Sequence, residues 1–327
     1  MNLRTRSWIL VAALVSAAVS LPVCAQAFKP SKPVEVVVHT GPGGGADVLA
    51  RFMANAMEKE KLLPVRMHVV NKTGGGGQTA MAYLVEKRGD AHTIAPFLSL
   101  FFTVPLMTPE AKVTMKDVTT VVRLLYEPSL VAVKSDSPFK TLGDFIDAAK
   151  KNPGQRKQSS ASLGGRDWMV RQLLMKNTGA NWAFISFPNF GERVGAVLGG
   201  HVDMMFIEPQ EAGEHIRSGS LRIIAQISDR RLPPYPNIPT VKEAGFDIVD
   251  VPQVRGIIAP PGISREALAY WEDLFARFAK SPSWRKYLED NVLLDAFLRG
   301  PELSKYVDDY SEVIRGILRD GGVKVVR

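Results

Sequence analysis

Val34-Glu35-Val36-Val37-Val38-His39-Thr40-Gly41-Pro42-Gly43-Gly44-Gly45-Ala46-Asp47 is a strand, a glycine-rich turn and the start of a helix. Val34 to Val38 is a β-branched apolar run, as in a buried strand. Glycine and proline break it, and an amphipathic pattern from about Asp47 to Lys61 predicts a helix. The unit then repeats. Val65 to Val70 reads as a second strand, Asn71-Lys72-Thr73-Gly74-Gly75-Gly76-Gly77 as its turn, Gln78 to Lys87 as a helix and Thr93 to Leu98 as a third strand. Alternation of this kind predicts an α/β fold, with a mostly parallel sheet flanked by helices.

Further along, strands are expected at Leu130 to Val133, Gln158 to Ser160, Phe184 to Phe187, Val202 to Ile207, Leu221 to Ile227 and Gly256 to Ala259. Helices are expected at Thr141 to Lys151, Asp167 to Thr178, Glu192 to Leu198 and Glu211 to Arg217. Amphipathic helices fill Arg265 to Leu298 and Pro301 to Leu318. Units of βα type lie on both sides of about residue 130, and the tail is mostly helical. Two α/β lobes result, with the last helices folding back on the first: 28–130 plus 251–327, and 131–250.

Ahead of this lies an export signal. Arg4 and Arg6 precede an uncharged run from Trp8 to Ser20, and Ala25-Gln26-Ala27 supplies small residues for cleavage before Phe28. A membrane anchor is the alternative, but the run is short for a span. Residues 1–27 therefore read as a cleaved signal peptide, and the mature protein is expected to be exported. The only cysteine, Cys24, lies within it, after Pro22-Val23 rather than the small residue of a lipoprotein box. The mature chain then has no disulfide, thiol nucleophile or cysteine metal site. Net charge is +8, or +6 without Arg4 and Arg6, and the basic residues are mixed with acids. No basic block or basic–aromatic interleaving points to nucleic acid.

The glycine clusters carry the functional reading. They follow strands and open helices, where unpaired N–H groups and the helix dipole favour an anion. The bland alternative is a turn that merely needs glycine. Gly41, Gly43 and Ala46 also fit a dinucleotide fingerprint, but Val70 is followed by Asn71 and not by an acidic ribose partner. Ser137-Pro138-Phe139-Lys140 and Lys72-Thr73-Gly74 match motifs of penicillin-recognising serine enzymes in the wrong order. Ser137 reads as a turn residue before a helix. The five histidines, 39, 68, 92, 201 and 215, show no metal spacing. No nucleophile is paired with a base, so no enzyme, metal or cofactor is expected.

Together these segments resemble the substrate-binding proteins of tripartite tricarboxylate transporters, the Bordetella uptake (Bug) family. Pro30 to Val34 is similar to the family's opening. Gly41-Pro42-Gly43-Gly44-Gly45-Ala46-Asp47 with Ala50-Arg51 is similar to its first loop, and Asn71 to Gly76 to its second. Ser162-Leu163-Gly164-Gly165-Arg166-Asp167 resembles the S-x-G-G-x-D-H loop, with Trp168 in place of His. Phe187 to Glu192 with Leu198 to Asp203, Ile238 to Gly245 and Ala259 to Gly262 resemble later family segments. His39-Thr40 departs from the family's usual Pro-Phe or Pro-Ala.

The resemblance implies a two-lobed periplasmic binding protein of type II, a Venus flytrap. It would deliver a di- or tricarboxylate, acidic amino acid or aromatic acid to membrane permease subunits. One ligand carboxylate would lie between the first two loops, partly through ordered water, and the second lobe would hold the other end. The expected binding residues are His39, Thr40, Gly41, Pro42, Gly43, Gly44, Thr73, Gly75, Gly76, Ser99, Ser160, Ser162, Gly164, Gly165, Arg166, Asp167, Phe190, Gly191 and Glu208. Arg166 is a candidate for pairing a second carboxylate. A monomer is expected. A sensor subunit for a receptor kinase and an exported serine hydrolase using Ser137 or Ser162 are the alternatives.

Overall fold

The computed structural model describes residues 28–160, 164–187, 190–248 and 251–327. The signal segment and Ser162 lie outside the described residues. Two sheets organise the chain. The first has six strands in the order β11-β4-β10-β3-β1-β2, and the second five, β7-β6-β8-β5-β9. Their ranges are β1 Val34–Val38, β2 Met67–Asn71, β3 Thr93–Leu98, β4 Thr119–Glu127, β5 Ser129–Lys134, β6 Lys157–Ser160, β7 Ala183–Ser186, β8 Met204–Ile207, β9 Leu221–Ile227, β10 Gln253–Ala259 and β11 Leu294–Arg299.

The α/β class and two-lobed build are as expected, but the sheets are mixed rather than mostly parallel. β1, β2 and β3 run parallel, as do β6, β7 and β8. The others pair antiparallel: β3–β10, β10–β4 and β4–β11 in one sheet, β8–β5 and β5–β9 in the other. The reason lies in the crossings. The chain leaves the first sheet at Glu127 and enters the second at Ser129, with only Pro128 between. It returns after Ile227 and re-enters at Gln253. Strands that arrive from the other sheet lack the helical crossover a parallel neighbour requires.

The helices are α1 Gly45–Lys59, α2 Gln78–Glu86, α3 Leu100–Met107, α4 Leu142–Lys151, α5 Arg166–Thr178, α6 Phe190–Leu198, α7 Pro209–Arg217, α8 Arg265–Phe278, α9 Pro282–Asp290 and α10 Gly300–Asp320. α8 and α9 put Trp271, Phe275, Phe278 and Trp284 into one core with β1, β4 and α1. Emptying a fully buried Trp site costs about 3–5 kcal/mol. α10 packs Leu303, Val307, Tyr310 and Ile314 against α3 and β10. Its end also reaches the second lobe, where Lys176 pairs with Asp320 at 2.7 Å and Gln172 Nε2 donates to the Gly321 carbonyl. The last helices thus fold back on the first lobe, and α10 spans to the second.

Gln226 pins the proline-rich return segment. Its amide donates to the carbonyls of Tyr235 and Ile238 and accepts from Leu232 N–H. A buried amide satisfied at three points fixes the loop, whose Leu232, Tyr235 and Ile238 also pack on the second sheet.

Candidate functional site

A cavity of about 190 Å³ opens between the two sheets. The first lobe lines it with Leu98, Ser99, Leu100, Thr103 and Gln253, the second with Ser160, Gly165, Arg166, Asp167, Met169, Arg193 and Glu208. Of the expected residues, Ser99, Ser160, Gly165, Arg166, Asp167 and Glu208 therefore come together here.

Helix starts separate into two kinds. Away from the cavity, α4, α8 and α9 begin with Thr141, Ser264 and Ser281, whose hydroxyls accept from the first-turn amides of Asp144, Ala267 and Trp284. α1, α2, α3, α5 and α7 start after Gly44, Gly77, Ser99, Gly165 and Glu208 with no side-chain cap. α10 also lacks one, after Arg299. The uncapped helices next to the cleft keep first-turn N–H groups available to another acceptor.

The first glycine loop is organised by Asp47. Its carboxylate accepts from Gly43 N–H at 2.9 Å, from two Arg51 nitrogens at 2.9 Å each and from Asn71 Nδ2 at 2.9 Å. Asn71 also donates to the Thr40 carbonyl, tying the ends of β1 and β2 together. Gly44 N–H is taken by the Gly41 carbonyl. The amides of Gly43 and Gly44 are thus spent on holding the loop. Hydrogen bonds from Arg51, Asn71 and Gly43 hold Asp47 far below the usual carboxylate range.

His39 and Thr40 differ in kind from that network. His39 Nδ1 and Thr40 Oγ1 are buried and have no hydrogen-bond partner. Burial, with the Arg255 charge acting in the same direction, pulls His39 down to about 4. Its ring is therefore neutral, and it meets Phe101 edge-on at 5.2 Å. Phe101 also fills the space beside Gly77, where φ is +92° and a Cβ would come within 2.5 Å of the ring. The second glycine loop, with Thr73, Gly75 and Gly76, thus packs on α3, whose Leu100 and Thr103 face the cavity.

On the other wall the side chains are charged and paired. Arg166 donates to Glu208 at 2.8 Å, to Asp167 at 3.4 Å and to the Glu127 carbonyl at 3.0 Å. Ser160 Oγ donates to Asp167 at 2.9 Å. Arg193 lies 3.5 Å from Glu211. Burial and the neighbouring Glu208 push Glu211 up to about 8. Burial opposes ionisation of Glu208 too, but Arg166 and a hydrogen bond from Glu211 hold it below its ordinary value. The pair carries one negative charge at neutral pH.

Glu127 joins the lobes at the crossing. Arg255 of β10 grips its carboxylate at 2.8 and 3.1 Å, and Gln210 of α7 donates to it at 3.1 Å. Gly164 makes a further interlobe contact. It has φ +74°, and a Cβ there would run into the Met107 thioether of α3.

The model of the tripartite tricarboxylate transporter family receptor matches residues 49–322. The chain belongs to this family. A UPF0065 protein from the gbd 5' region of Cupriavidus necator is 28% identical over 306 residues, 93% of this chain and 92% of that one. A TctC solute binding protein from Polaromonas is 26% identical, with a TM-score of 0.76 over 89% of this chain and 99% of that one. R. palustris Rpa4515 with adipate superposes with a TM-score of 0.78 at 20% identity, over 90% of this chain and 99% of that one. That last likeness is one of fold alone.

In this member of the family, some expected residues also make other contacts. Ser99 Oγ accepts from Val254 N–H and meets Tyr310 Oη, stitching α3 to β10 and α10. Phe190 packs against His215 and beneath Arg193, outside the cavity lining. Ser137 Oγ accepts from Phe139 N–H, and Lys140 Nζ reaches the Ser137 carbonyl, not its hydroxyl. That is a turn, not a nucleophile and its base. The reading from sequence missed Glu127, Arg193, Gln253 and Arg255. Arg255, a charge between Val254 and Gly256 in an apolar strand, was the available signal.

Proposed function

We propose that the chain is an exported, periplasmic solute receptor that closes on a small carboxylate and passes it to membrane permease subunits. Binding proteins of this family are periplasmic receptors and generally not enzymes. One observation carries the reading: three helices that start without side-chain caps, α3 from the first lobe and α5 and α7 from the second, border one interlobe cavity. The neutral His39 and the Thr40 hydroxyl, buried without partners, add donors beside the first loop. Segments 28–130 with 251–327 and segment 131–250 act as the two lobes, hinging at the crossings near 130 and 250. The common carboxylate is held at the loops Gly41–Gly44 and Thr73–Gly76, by His39, Thr40 and the amides other than those of Gly43 and Gly44, and Ser160 to Asp167 with Glu208 choose the ligand.

A thermal-shift screen tests this, because a ligand that binds only the native state raises its stability. Small carboxylates should raise Tm in a dose-dependent way. Stabilisation by neutral sugars or metal ions alone would refute it.

A further inference from the structure

We infer that Trp168 locks the second lobe onto the first. Its ring, carried on the first turn of α5, seats against Gly321 at the end of α10, and the seat holds Arg166 and Asp167 in the cavity wall whatever the cleft captures.

The first turn of α5 faces two ways. Arg166, Asp167 and Met169 line the cavity, whereas Trp168 is 4% exposed within the apolar core of the first lobe, with residues of α2, α3, β10 and α10. α5 is fixed to its own lobe by Val170 and Leu174, which share a core with β5, β8 and β9. Trp168, Gln172 and Lys176 recur at four-residue spacing, so they share one helix face. That face meets the end of α10: Gln172 Nε2 donates to the Gly321 carbonyl at 3.1 Å, and Lys176 pairs with Asp320. The ion pair is exposed and contributes little. Trp168 brings the large apolar surface of the contact.

Gly321 is fitted to that ring. Its φ is −78°, which any residue adopts, so the end of α10 does not itself require glycine. The ring requires it: a Cβ on Gly321 would stand 2.5 Å from Trp168 Cη2 and would also run into the Gln172 amide. Beside this point the two helices part around an open cleft of about 380 Å³, lined by Leu173, Met175, Asn181 and Ile317 among others. The contact is therefore an island. Releasing the ring leaves α5 held in its own lobe by Val170 and Leu174.

Double electron–electron resonance on a Cys24→Ser chain tests it, since Cys24 is the only native cysteine. Spin labels at Asn55→Cys with Lys150→Cys, and separately at Glu86→Cys with Glu214→Cys, put exposed sites on helices of both lobes. In buffer without organic acid, Trp168→Ala and Gly321→Ala should each shift at least one mean separation by more than about 2 Å, the scale of a domain rearrangement. Trp168→Phe should shift it less, because a smaller ring still fills part of the seat. Gly321→Ala should add nothing to Trp168→Ala, since the ring it displaces is gone. Unchanged separations in a folded Trp168→Ala or Gly321→Ala chain, even with a lower Tm, would overturn the inference and reduce Trp168 to core filling. So would a Gly321→Ala shift as large without the ring as with it. Neither result bears on carboxylate capture, which titration with acids tests separately.

Discussion

Arg166 Nη2 lies 2.8 Å from Glu208 Oε1, and the same guanidinium donates to the Glu127 carbonyl where the chain crosses between sheets. One side chain therefore sets both the charge of the cleft wall and the seating of the crossing. Arg166→Met keeps the length and removes the charge. It leaves Glu208 and Asp167 without their cation, and removing one partner of a buried pair costs about 3–5 kcal/mol. Urea unfolding at neutral pH should show that loss, whereas a loss under about 1 kcal/mol would mean the network contributes little.

Asp47 is 1% exposed and receives hydrogen bonds from Gly43, Arg51 and Asn71. Its folded pKa lies below its unfolded value. The stabilisation it gives is therefore complete above the unfolded carboxylate pKa and is lost as pH falls towards the folded one. Asp47→Asn should cost about 1–3 kcal/mol at neutral pH, the range for hydrogen bonds to a charged group. It should also flatten the acid limb of the stability curve below about pH 4.

His39 and Glu211 tilt the curve in opposite directions. Unfolded His39 takes a proton near 6.5, but the folded ring resists until about 4. Between those values the unfolded chain holds more protons, so stability rises with pH, by ~3 kcal/mol over the interval. Glu211 is the reverse. Folded, it keeps its proton to about 8, while unfolded it loses it near 4.5. Stability is thus lost as pH rises through that window. His39→Asn should flatten the rise below pH 6.5, and Glu211→Gln should make the chain more stable than wild type at pH 8. Thermal melts from pH 4 to 9 check both, and unchanged slopes would refute the assignments.

Much of this architecture was legible in the sequence. β1, β3 and β9 begin and end where the apolar runs do, because glycine, proline and polar residues bound them. Three elements were not. Leu100–Met107 is apolar all round and contains Pro105, so it shows no helical stripe, yet it is the helix α3 that carries the glycine loops and the cavity wall. β4 went unread at Thr119–Glu127. Leu294–Arg299 was read as helix and is an edge strand, since pairing with β4 overrides local preference. In the site, the glycine loops and the Arg166–Asp167 segment could be read because their composition is unusual. Glu127, Arg193 and Arg255 could not be placed, because ion pairs across the fold decide their positions.

Gly164 and Met107 approach each other closely across the two lobes. Gly164→Ala puts a Cβ on a left-handed backbone and into the thioether, so the lobes should close less well. Ligand affinity should fall at least 10-fold, and Met107→Ala in the same background should recover part of it. An unchanged affinity in Gly164→Ala would show that this contact plays no part in closing.

On the proposed function, the cleft captures the carboxylate as an anion. Calorimetric titration of the best-binding acid against its methyl ester at the capture end tests that most directly, since the ester keeps the shape and loses the charge. The acid should bind at least 100-fold more tightly than the ester. Equal affinity for acid and ester would contradict the account.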